Sequence, residues 1–192
     1  MTVYCATGNA GKLKEFQLAA KQAGIDVALL PGFNEIPECV EDGVTFAENA
    51  AIKALYYGAH ASSPVFADDS GLVVDALNGA PGVYSARFAG PGANDERNNR
   101  LLLERLHGVH DRRARFICVI ALTEGAEAPS LYEGSVEGVI LDEPRGAGGF
   151  GYDPLFYYPE FGCTFGEATE EQKLSVSHRG QAFGKMLRGL SL

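Results

Sequence analysis

Apolar positions recur with two different spacings along the chain, and the two spacings alternate from one segment to the next. Residues 2–6 and 25–31 are mostly apolar and have the length of buried strands. Between them, residues 11–23 place apolar side chains three or four positions apart, which predicts an amphipathic helix. Gly24 then supplies a stop signal for that helix. The N-terminal segment therefore predicts a strand, a helix and a second strand.

The same alternation continues to the end of the chain. Thr45 and Glu48 have the spacing of a capping box, which predicts the start of a helix. The later predicted elements are a helix at 45–61, a strand, a turn and a strand within 64–77, a helix at 94–106, an antiparallel strand pair at 114–122 and 130–141, and a helix at 177–190. Because strands and helices interleave, we predict an α/β fold with a mixed β-sheet and flanking helices, formed as a single domain over residues 1–192.

Composition narrows the class of protein without identifying it. The chain has 16 basic and 25 acidic residues, so its formal charge of −9 leaves no broad basic face for nucleic acid. Its longest apolar run, residues 116–122, is far too short to span a membrane. Cys5 and Cys118 fall in strand-like apolar runs, which predicts buried, reduced thiols. These features predict a cytoplasmic enzyme that binds neither nucleic acid nor membrane.

The segment TGNAGK, residues 7–12, lies between the first predicted strand and the first predicted helix. Such a turn exposes backbone N–H groups at a helix N-terminus, where those groups and the helix dipole attract an anion. Gly8 and Gly11 allow close approach of a ligand, and Lys12 adds a positive charge. The segment is not a Walker loop, because Leu13 stands where that loop has a hydroxyl. An ordinary turn with a solvated lysine fits the local pattern as well as a phosphate site does.

Two acidic segments offer metal ligands or a general base. Asp68 and Asp69 follow an apolar strand, and consecutive strand side chains point to opposite faces, so we expect the two carboxylates to have different tasks. One of them, at a strand end, could hold a hard cation or take a proton from water. Glu35, Glu38, Glu41 and Asp42 form an acidic run before Gly43, and one of them could help to hold a metal. Turn-forming aspartates and a solvated acidic run are the alternatives, which the local patterns favour.

Two later segments have the residue types of a base-binding site. In GGFGYDP, Phe150 and Tyr152 would share one face of an extended chain, and an aromatic face can stack on a base. In KLSVSHRG, His178 and Arg179 fall in the first turn of a helix, where the dipole disfavours cations unless an anion or partner compensates. A loop anchored by core aromatics and a surface His-Arg pair would explain the same segments without a ligand. For His178, a partly buried imidazole with satisfied hydrogen bonds is a further alternative.

Together and in this order, the motifs resemble the inosine/xanthosine triphosphate pyrophosphatases. The matching segments are ATGNAGK, GVTFAENAAIKA, ADDSGLVVDALNGAPGVYSARFAG, GGFGYDPLF and SHRGQA, which span nearly the whole chain. The resemblance implies an elongated α/β fold with two lobes around a central nucleotide cleft, a homodimer, and Mg²⁺ as the cofactor. It also implies hydrolysis of ITP, dITP and XTP to the nucleoside monophosphate and pyrophosphate, a reaction that removes non-standard purines from the nucleotide pool.

The resemblance further implies roles for individual residues. Asp69 and Glu41 would hold Mg²⁺, and Asp69 would also accept the proton of the attacking water. The implied substrate-binding residues are Thr7, Gly8, Asn9, Ala10, Gly11 and Lys12 for the triphosphate, Lys53, Ser70 and Lys173 for phosphate or sugar, and Phe150, Gly151, Tyr152, Asp153, His178 and Arg179 for the base.

Two other functions fit the same motifs. A non-catalytic sensor would bind a purine nucleotide without turnover, and an NTPase that cleaves the terminal phosphate would release orthophosphate. A general base beside a phosphate site favours an enzyme over a sensor.

Overall fold

The computed structural model describes residues 2–124 and 127–190. Its strands are β1 (Thr2–Cys5), β2 (Asp26–Leu29), β3 (Val65–Val74), β4 (Arg113–Thr123), β5 (Ser130–Ile140), β6 (Phe156–Tyr158) and β7 (Cys163–Thr164). Its α-helices are α1 (Ala10–Gln22), α2 (Phe46–Gly58), α3 (Asp95–Arg105), α4 (Glu170–Val176) and α5 (His178–Gly189). None of the helices described in this way has both the length and the apolar character to cross a membrane.

Side-chain caps fix where the helices α1, α2 and α3 begin. Asn9 precedes α1 and Asn94 precedes α3, and each side chain accepts a hydrogen bond from the backbone N–H three residues later. Thr45 and Glu48 form the predicted capping box at the start of α2. The predictions of α1, α2 and α3 are confirmed, with ends that differ by at most a few residues.

The strands form a mixed sheet in the order β2-β1-β3-β4-β5-β6-β7. Strand β1 pairs in parallel with β2 and β3, whereas β6 pairs antiparallel with β5 and β7. The parallel strands are connected by crossovers that contain α1 and α2, because a hairpin turn cannot join parallel neighbours. Strands β4 and β5, which the sequence predicts as a pair, are neighbours in the sheet. The predicted α/β class with a mixed sheet is confirmed.

Other segments differ from the prediction. Residues 65–74 form one uninterrupted strand, so the turn predicted inside 64–77 is wrong. The two aspartates resemble a turn signal in the sequence, yet they lie within a strand that is buried along most of its length. Helix α4 is not predicted, although Thr169 and Gln172 form a capping box at its start. Strands β6 and β7 have three and two residues, too few for a readable alternation.

The chain forms two compact units. Unit 1 contains the described residues up to Asp69, those from Cys118 to Gly134 and those from His178 onward. Unit 2 contains Ser70–Ile117 and Ser135–Ser177. Strands β3, β4 and β5 each contribute residues to both units.

Each unit has its own aromatic core. In unit 1, Phe16 of α1 lies 5.0 Å from Phe66 of β3 and 5.6 Å from Phe183 of α5, measured between ring centroids. These contacts hold α1 and α5 against the sheet. In unit 2, Phe156 and Phe165 lie 5.0 Å apart in a second cluster.

The predicted state of the two strand cysteines is confirmed. Cys5 and Cys118 are buried free thiols of unit 1. Burial raises the pKa of both thiols, and the nearby carboxylate of Asp68 raises it further. Neither is a ready nucleophile, so both act as small core residues.

Candidate functional site

The turn that leads into α1 is held by its own side chains. The Thr7 hydroxyl accepts a hydrogen bond from the Asn9 N–H at 3.2 Å, and Asn9 Oδ1 accepts one from the Lys12 N–H at 3.0 Å. Gly8 and Ala10 are exposed, so the backbone at this helix N-terminus is accessible to a ligand. A helix N-terminus with an adjacent lysine attracts anions, so the phosphate site at TGNAGK stays a prediction that this geometry permits.

Lys12 reaches from α1 to β3. Its Nζ lies 3.0 Å from Asp68 Oδ2, and the Asp68 side chain is 1% exposed. Burial by itself would raise the pKa of Asp68, but the positive charges of Lys12, Arg179 and Lys53 outweigh burial and lower that pKa to about 2. Asp68 is therefore a permanent anion that fixes Lys12 beside the start of α1.

Asp69 contacts a different set of groups, as the alternation of strand side chains predicts. Its Oδ1 lies 3.4 Å from Lys53 Nζ of α2, and the same Nζ lies 2.8 Å from Glu41 Oε2. The two residues predicted as metal ligands thus share one positively charged neighbour. Ser70, the next residue of β3, is half-buried.

Burial and charge shift both partners of this contact. Burial raises the pKa of Asp69, and the opposing attraction of Lys53 and Lys12 does not fully compensate. Burial would lower the pKa of Lys53, but the carboxylates of Asp69, Asp68 and Glu41 outweigh burial, and the net shift is upward. Asp69 has the raised pKa of a proton acceptor, beside an ammonium that stays charged.

Asn49 of α2 connects the two acidic segments, and the sequence did not indicate this role. The side chain is buried, with its Oδ1 accepting the Gly43 N–H at 2.9 Å and its Nδ2 donating to Asp69 Oδ2 at 3.2 Å. Gly43 lies two positions after Glu41, so one amide holds the Glu41 loop and the Asp69 carboxylate together. In the sequence, Asn49 lies between Glu48 and Ala50, a stretch that looks like an ordinary helix turn and does not mark Asn49 as a site residue.

His178 and Arg179, at the start of α5, are buried in unit 1. The surface-pair alternative is therefore wrong. The Arg179 guanidinium forms an ion pair with Glu15 of α1 and lies 5.8 Å from the centre of the Phe16 ring. Burial would lower the pKa of Arg179, but Glu15 and Asp68 outweigh it and raise the pKa. The Glu15 carboxylate thus compensates the charge of Arg179 in the first turn of α5, where the helix dipole disfavours a cation.

A second group of predicted residues lies in unit 2. Lys173 Nζ lies 2.5 Å from Asp153 Oδ2 and 4.9 Å above the Phe150 ring. The same carboxylate oxygen accepts the Phe150 N–H at 2.9 Å. The side chains of Lys173 and Asp153 are 6% and 3% exposed, so this is a buried ion pair. It fixes the conformation of the loop that carries Phe150.

The prediction that Phe150 and Tyr152 present their rings on one face is wrong. The segment forms turns rather than an extended strand. The Tyr152 ring packs in the core of unit 2, and its hydroxyl donates to the Ser85 carbonyl at 2.7 Å. Burial, with a further contribution from Asp95, raises the pKa of Tyr152. Tyr152 anchors the loop, and Phe150 is the ring left half-buried.

Gly151, between these two aromatics, is bound by helix α3. Its N–H donates to Asp95 Oδ2 at 2.7 Å, and its carbonyl accepts from Asn99 Nδ2 at 2.9 Å. Asp95 falls in the first turn of the helix predicted at 94–106, and Asn99 lies inside the same helix without a distinguishing sequence signal. No local signal links them to a loop more than fifty positions away.

Known proteins are similar to this chain over nearly its whole length. A model of the Ham1 family matches residues 3–189. A dITP/XTP pyrophosphatase from Listeria innocua is 49% identical over 191 residues, which cover 98% of this chain and 94% of that protein. A dITP/XTP pyrophosphatase from Desulforamulus reducens is 51% identical over 193 residues, covering 100% of this chain and 96% of that protein.

Solved structures show the same fold. The structure of a HAM1 protein from Coxiella burnetii superposes with a TM-score of 0.88 at 42% identity and covers 100% of this chain and 98% of that one. A nucleoside-triphosphatase / dITP/XTP pyrophosphatase from Mycobacterium abscessus gives a TM-score of 0.75 at 37% identity, covering 99% of this chain and 100% of that one. The family model, the full-length relatives and the shared fold together show that this chain belongs to the Ham1 family.

Proposed function

We propose that this protein hydrolyses non-standard purine nucleoside triphosphates, namely dITP, ITP and XTP, to the nucleoside monophosphate and pyrophosphate. The observation that carries the proposal is the convergence of Glu41 and Asp69 on Lys53, beside the Lys12–Asp68 pair at the start of α1. Relatives about half identical over nearly their whole length have the name dITP/XTP pyrophosphatase, which supports the same substrate class.

The residues present fit a bound Mg²⁺ ion. Mg²⁺ is commonly held by one or two carboxylates, with substrate phosphates and waters as the other ligands. Glu41 and Asp69 supply two carboxylates that already face one positive charge. Among residues 2–124 and 127–190, no group of three or more His, Cys, Asp or Glu side chains forms a complete metal cage. Two carboxylates without a third such ligand among the described residues agree with a site in which substrate phosphates and waters supply the remaining ligands.

Each charged side chain then has a distinct task. Lys12, Lys53 and the N-terminus of α1 offset the negative charge of the triphosphate. Mg²⁺, when bound, supplies charge neutralisation and a more acidic water. Asp69 accepts the proton of the water that attacks the α-phosphorus, and the bond to the pyrophosphate oxygen breaks. Asp68, a buried anion paired with Lys12, keeps that lysine in place.

The purine end of the substrate is assigned to Phe150–Asp153, His178 and Arg179 on the family resemblance, and Lys173 to the phosphate or sugar. Hypoxanthine and xanthine present a 6-oxo acceptor where adenine has an amino donor, so donors from His178 or Arg179 would favour the oxo purines. An unmade buried hydrogen bond costs about 1–3 kcal/mol, or roughly ten- to a hundredfold in affinity. Arg179→Ala should therefore lose discrimination between ITP and ATP more than it loses metal binding; unchanged selectivity would refute the base-reading role.

Product analysis tests the proposal directly. The protein is incubated with ITP, dITP, XTP, GTP or ATP and Mg²⁺, and the products are separated by anion-exchange chromatography. Monophosphate and pyrophosphate from the first three substrates support the proposal. Diphosphate and orthophosphate would indicate the NTPase alternative, and tight nucleotide binding without any product would indicate the sensor.

Two variants test the residue roles in the same assay. Asp69→Asn should be nearly inactive yet folded, because its amide cannot accept the proton; substantial residual activity would remove Asp69 as the base. Glu41→Gln should raise the Mg²⁺ concentration needed for half-maximal activity. The matched control is Asp42→Asn, which changes an exposed carboxylate one position away. Equal effects of the Glu41 and Asp42 variants would argue against Glu41 as a metal ligand.

The homodimer and the cytoplasmic location are further parts of the proposal. They rest on the family resemblance and, for the location, on the reduced, buried cysteines. Sedimentation equilibrium of the purified chain would decide between the monomer of 20.4 kDa and a dimer.

A further inference from the structure

Helix α3 binds both polar backbone atoms of Gly151. Asp95 Oδ2 accepts the Gly151 N–H at 2.7 Å, and Asn99 Nδ2 donates to the Gly151 carbonyl at 2.9 Å. Asp95 and Asn99 lie four positions apart, so they share one face of the helix. A donor and an acceptor on one rigid element fix both the position and the orientation of the peptide. We call these two side chains and Gly151 the α3 clamp.

Gly151 has a backbone conformation that other residues adopt rarely. Its φ of +62° lies in the left-handed region, and a Cβ at this position would meet nothing within 4 Å. Glycine is therefore required by the backbone conformation and not by lack of space. The α3 clamp supplies one hydrogen bond to each polar backbone atom of this glycine.

The orientation of the Asn99 amide is set by the loop. Its Oδ1 is buried and accepts no hydrogen bond from any residue that the structure describes. Leaving a buried acceptor unmatched is unfavourable, and such an atom calls for an explanation. Rotating the amide would turn Oδ1 toward the Gly151 carbonyl and replace an attraction with a repulsion. Asn99 therefore binds the Gly151 carbonyl through Nδ2, while its Oδ1 lacks a hydrogen bond from the described residues.

The clamp acts on the segment that the proposed function assigns to the purine. Gly151 lies directly after Phe150 and two positions before Asp153, whose carboxylate binds Lys173. The buried Tyr152 ring and the Asp153–Lys173 pair hold the C-terminal part of the segment. The α3 clamp instead holds Gly151 itself, next to the half-buried Phe150 ring.

We infer that Asp95 and Asn99 are positioning residues that set purine selectivity by fixing the Phe150–Asp153 loop, an inference that rests on the proposed function. A loop that is fixed in one conformation presents the Phe150 ring and its hydrogen-bond donors in one geometry. That geometry matches one arrangement of donors and acceptors on the purine. Without the clamp, the loop must be ordered when substrate binds, and this cost weakens binding. The KM for dITP should rise and its advantage over dATP should shrink, whereas kcat should change little, because Asp69 is not part of this loop.

Two matched pairs of variants separate the clamp from general damage to α3. Asn99→Ala is compared with Asn98→Ala, which removes a neighbouring, buried asparagine that binds the Ala86 and Ala89 backbone instead. Asp95→Ala is compared with Glu96→Ala, since both acids lie in the first turn of α3 and both interact favourably with the helix dipole.

Amide hydrogen exchange of Gly151, followed by NMR, reports on the clamp without any catalysis. Exchange should be about ten- to a hundredfold faster in Asn99→Ala and Asp95→Ala, the loss expected for one hydrogen bond. It should be little changed in the two controls.

Isosteric variants keep the test decisive if an alanine variant fails to fold. Asp95→Asn retains an acceptor for the Gly151 N–H and should preserve most of the wild-type KM. Asn99→Asp has the same shape but cannot donate to the Gly151 carbonyl, so it should raise KM about tenfold or more. Opposite behaviour of the two would overturn the inference.

Steady-state kinetics with dITP and dATP completes the test. If the unmodified protein releases pyrophosphate from dITP but the clamp variants match their controls in KM, selectivity and Gly151 exchange, the inference alone is overturned. If the unmodified protein does not cleave dITP, the proposed function fails and the inference fails with it. A raised KM at constant kcat, with reduced preference for dITP, establishes the positioning role.

Discussion

The buried ion pair between Asp153 and Lys173 allows a quantitative prediction about stability. The two charges lie 2.5 Å apart, and their side chains are 3% and 6% exposed. Asp153→Asn keeps the shape of the side chain and an acceptor for the Phe150 N–H, but it removes the carboxylate charge that pairs with the Lys173 ammonium. Lys173→Met removes the charge and leaves a carboxylate in the same buried place.

The expected magnitude follows from burial. Removing one partner of a buried pair costs about 3–5 kcal/mol, because an uncompensated charge is left in a poorly polarisable environment. Each single variant should therefore lose about that much free energy of unfolding. Replacing both partners leaves no buried charge, so the double variant should lose at least about 2 kcal/mol less than the sum of the single losses.

Urea denaturation followed by far-UV circular dichroism measures these free energies. Circular dichroism is suitable because the chain contains no tryptophan to report by fluorescence. The comparison of the two single variants and the double variant forms a double-mutant cycle, which isolates the interaction between the partners. The slope of the denaturation curve must stay constant for the comparison to hold.

A matched surface pair serves as the control. Asp111 and Arg113 lie 2.7 Å apart, but their side chains are 52% and 70% exposed. Asp111→Asn should leave the denaturation midpoint nearly unchanged, because water screens exposed pairs. Two results would refute the reasoning: single losses below about 1 kcal/mol at Asp153 and Lys173, or additive losses in the double variant.

Three more predictions follow from the structure. Asn49→Asp should lower kcat for dITP about tenfold or more, since the amide that donates to Asp69 is replaced by a repelling carboxylate; a fully active, folded variant would contradict this. Thr45→Ala should lower the free energy of unfolding by about 1 kcal/mol through loss of the α2 capping box, measured by urea denaturation; an unchanged midpoint would argue against the cap. Removal of divalent metal with EDTA should stop pyrophosphate release, and added Mg²⁺ should restore it; activity that persists in EDTA would exclude the proposed metal role.

The helices show how much of the fold the sequence determines locally. Thr45 and Glu48 are three residues apart, and Asn94 precedes its helix directly, so the signals lie beside the structure that they specify. Strand β3 shows the limit. Its adjacent aspartates look like a turn, but their partners Lys12 and Lys53 come from two other elements and allow the charges to lie within a buried strand.

The candidate site divides in the same way. The segments that carry it, from TGNAGK to SHRGQA, are distinctive in residue type, and the family could be identified from them. Their geometry could not, because it depends on contacts between distant residues. Asp69 meets Asn49 across 20 positions, and Asn99 meets Gly151 across 52. Such contacts leave no periodic pattern in the sequence.

By itself, the sequence determined the starts of α1, α2 and α3, the α/β class and the residue types of the site, since each depends on neighbouring residues or on residue type. The tertiary structure alone decided how those residues are used. It placed Glu41 and Asp69 on one lysine, paired the buried Asp68 with Lys12, and turned Tyr152 into the core while leaving Phe150 half-buried. The physical reason is that burial and electrostatic pairing depend on which segments meet in space, and packing sets this over the whole chain.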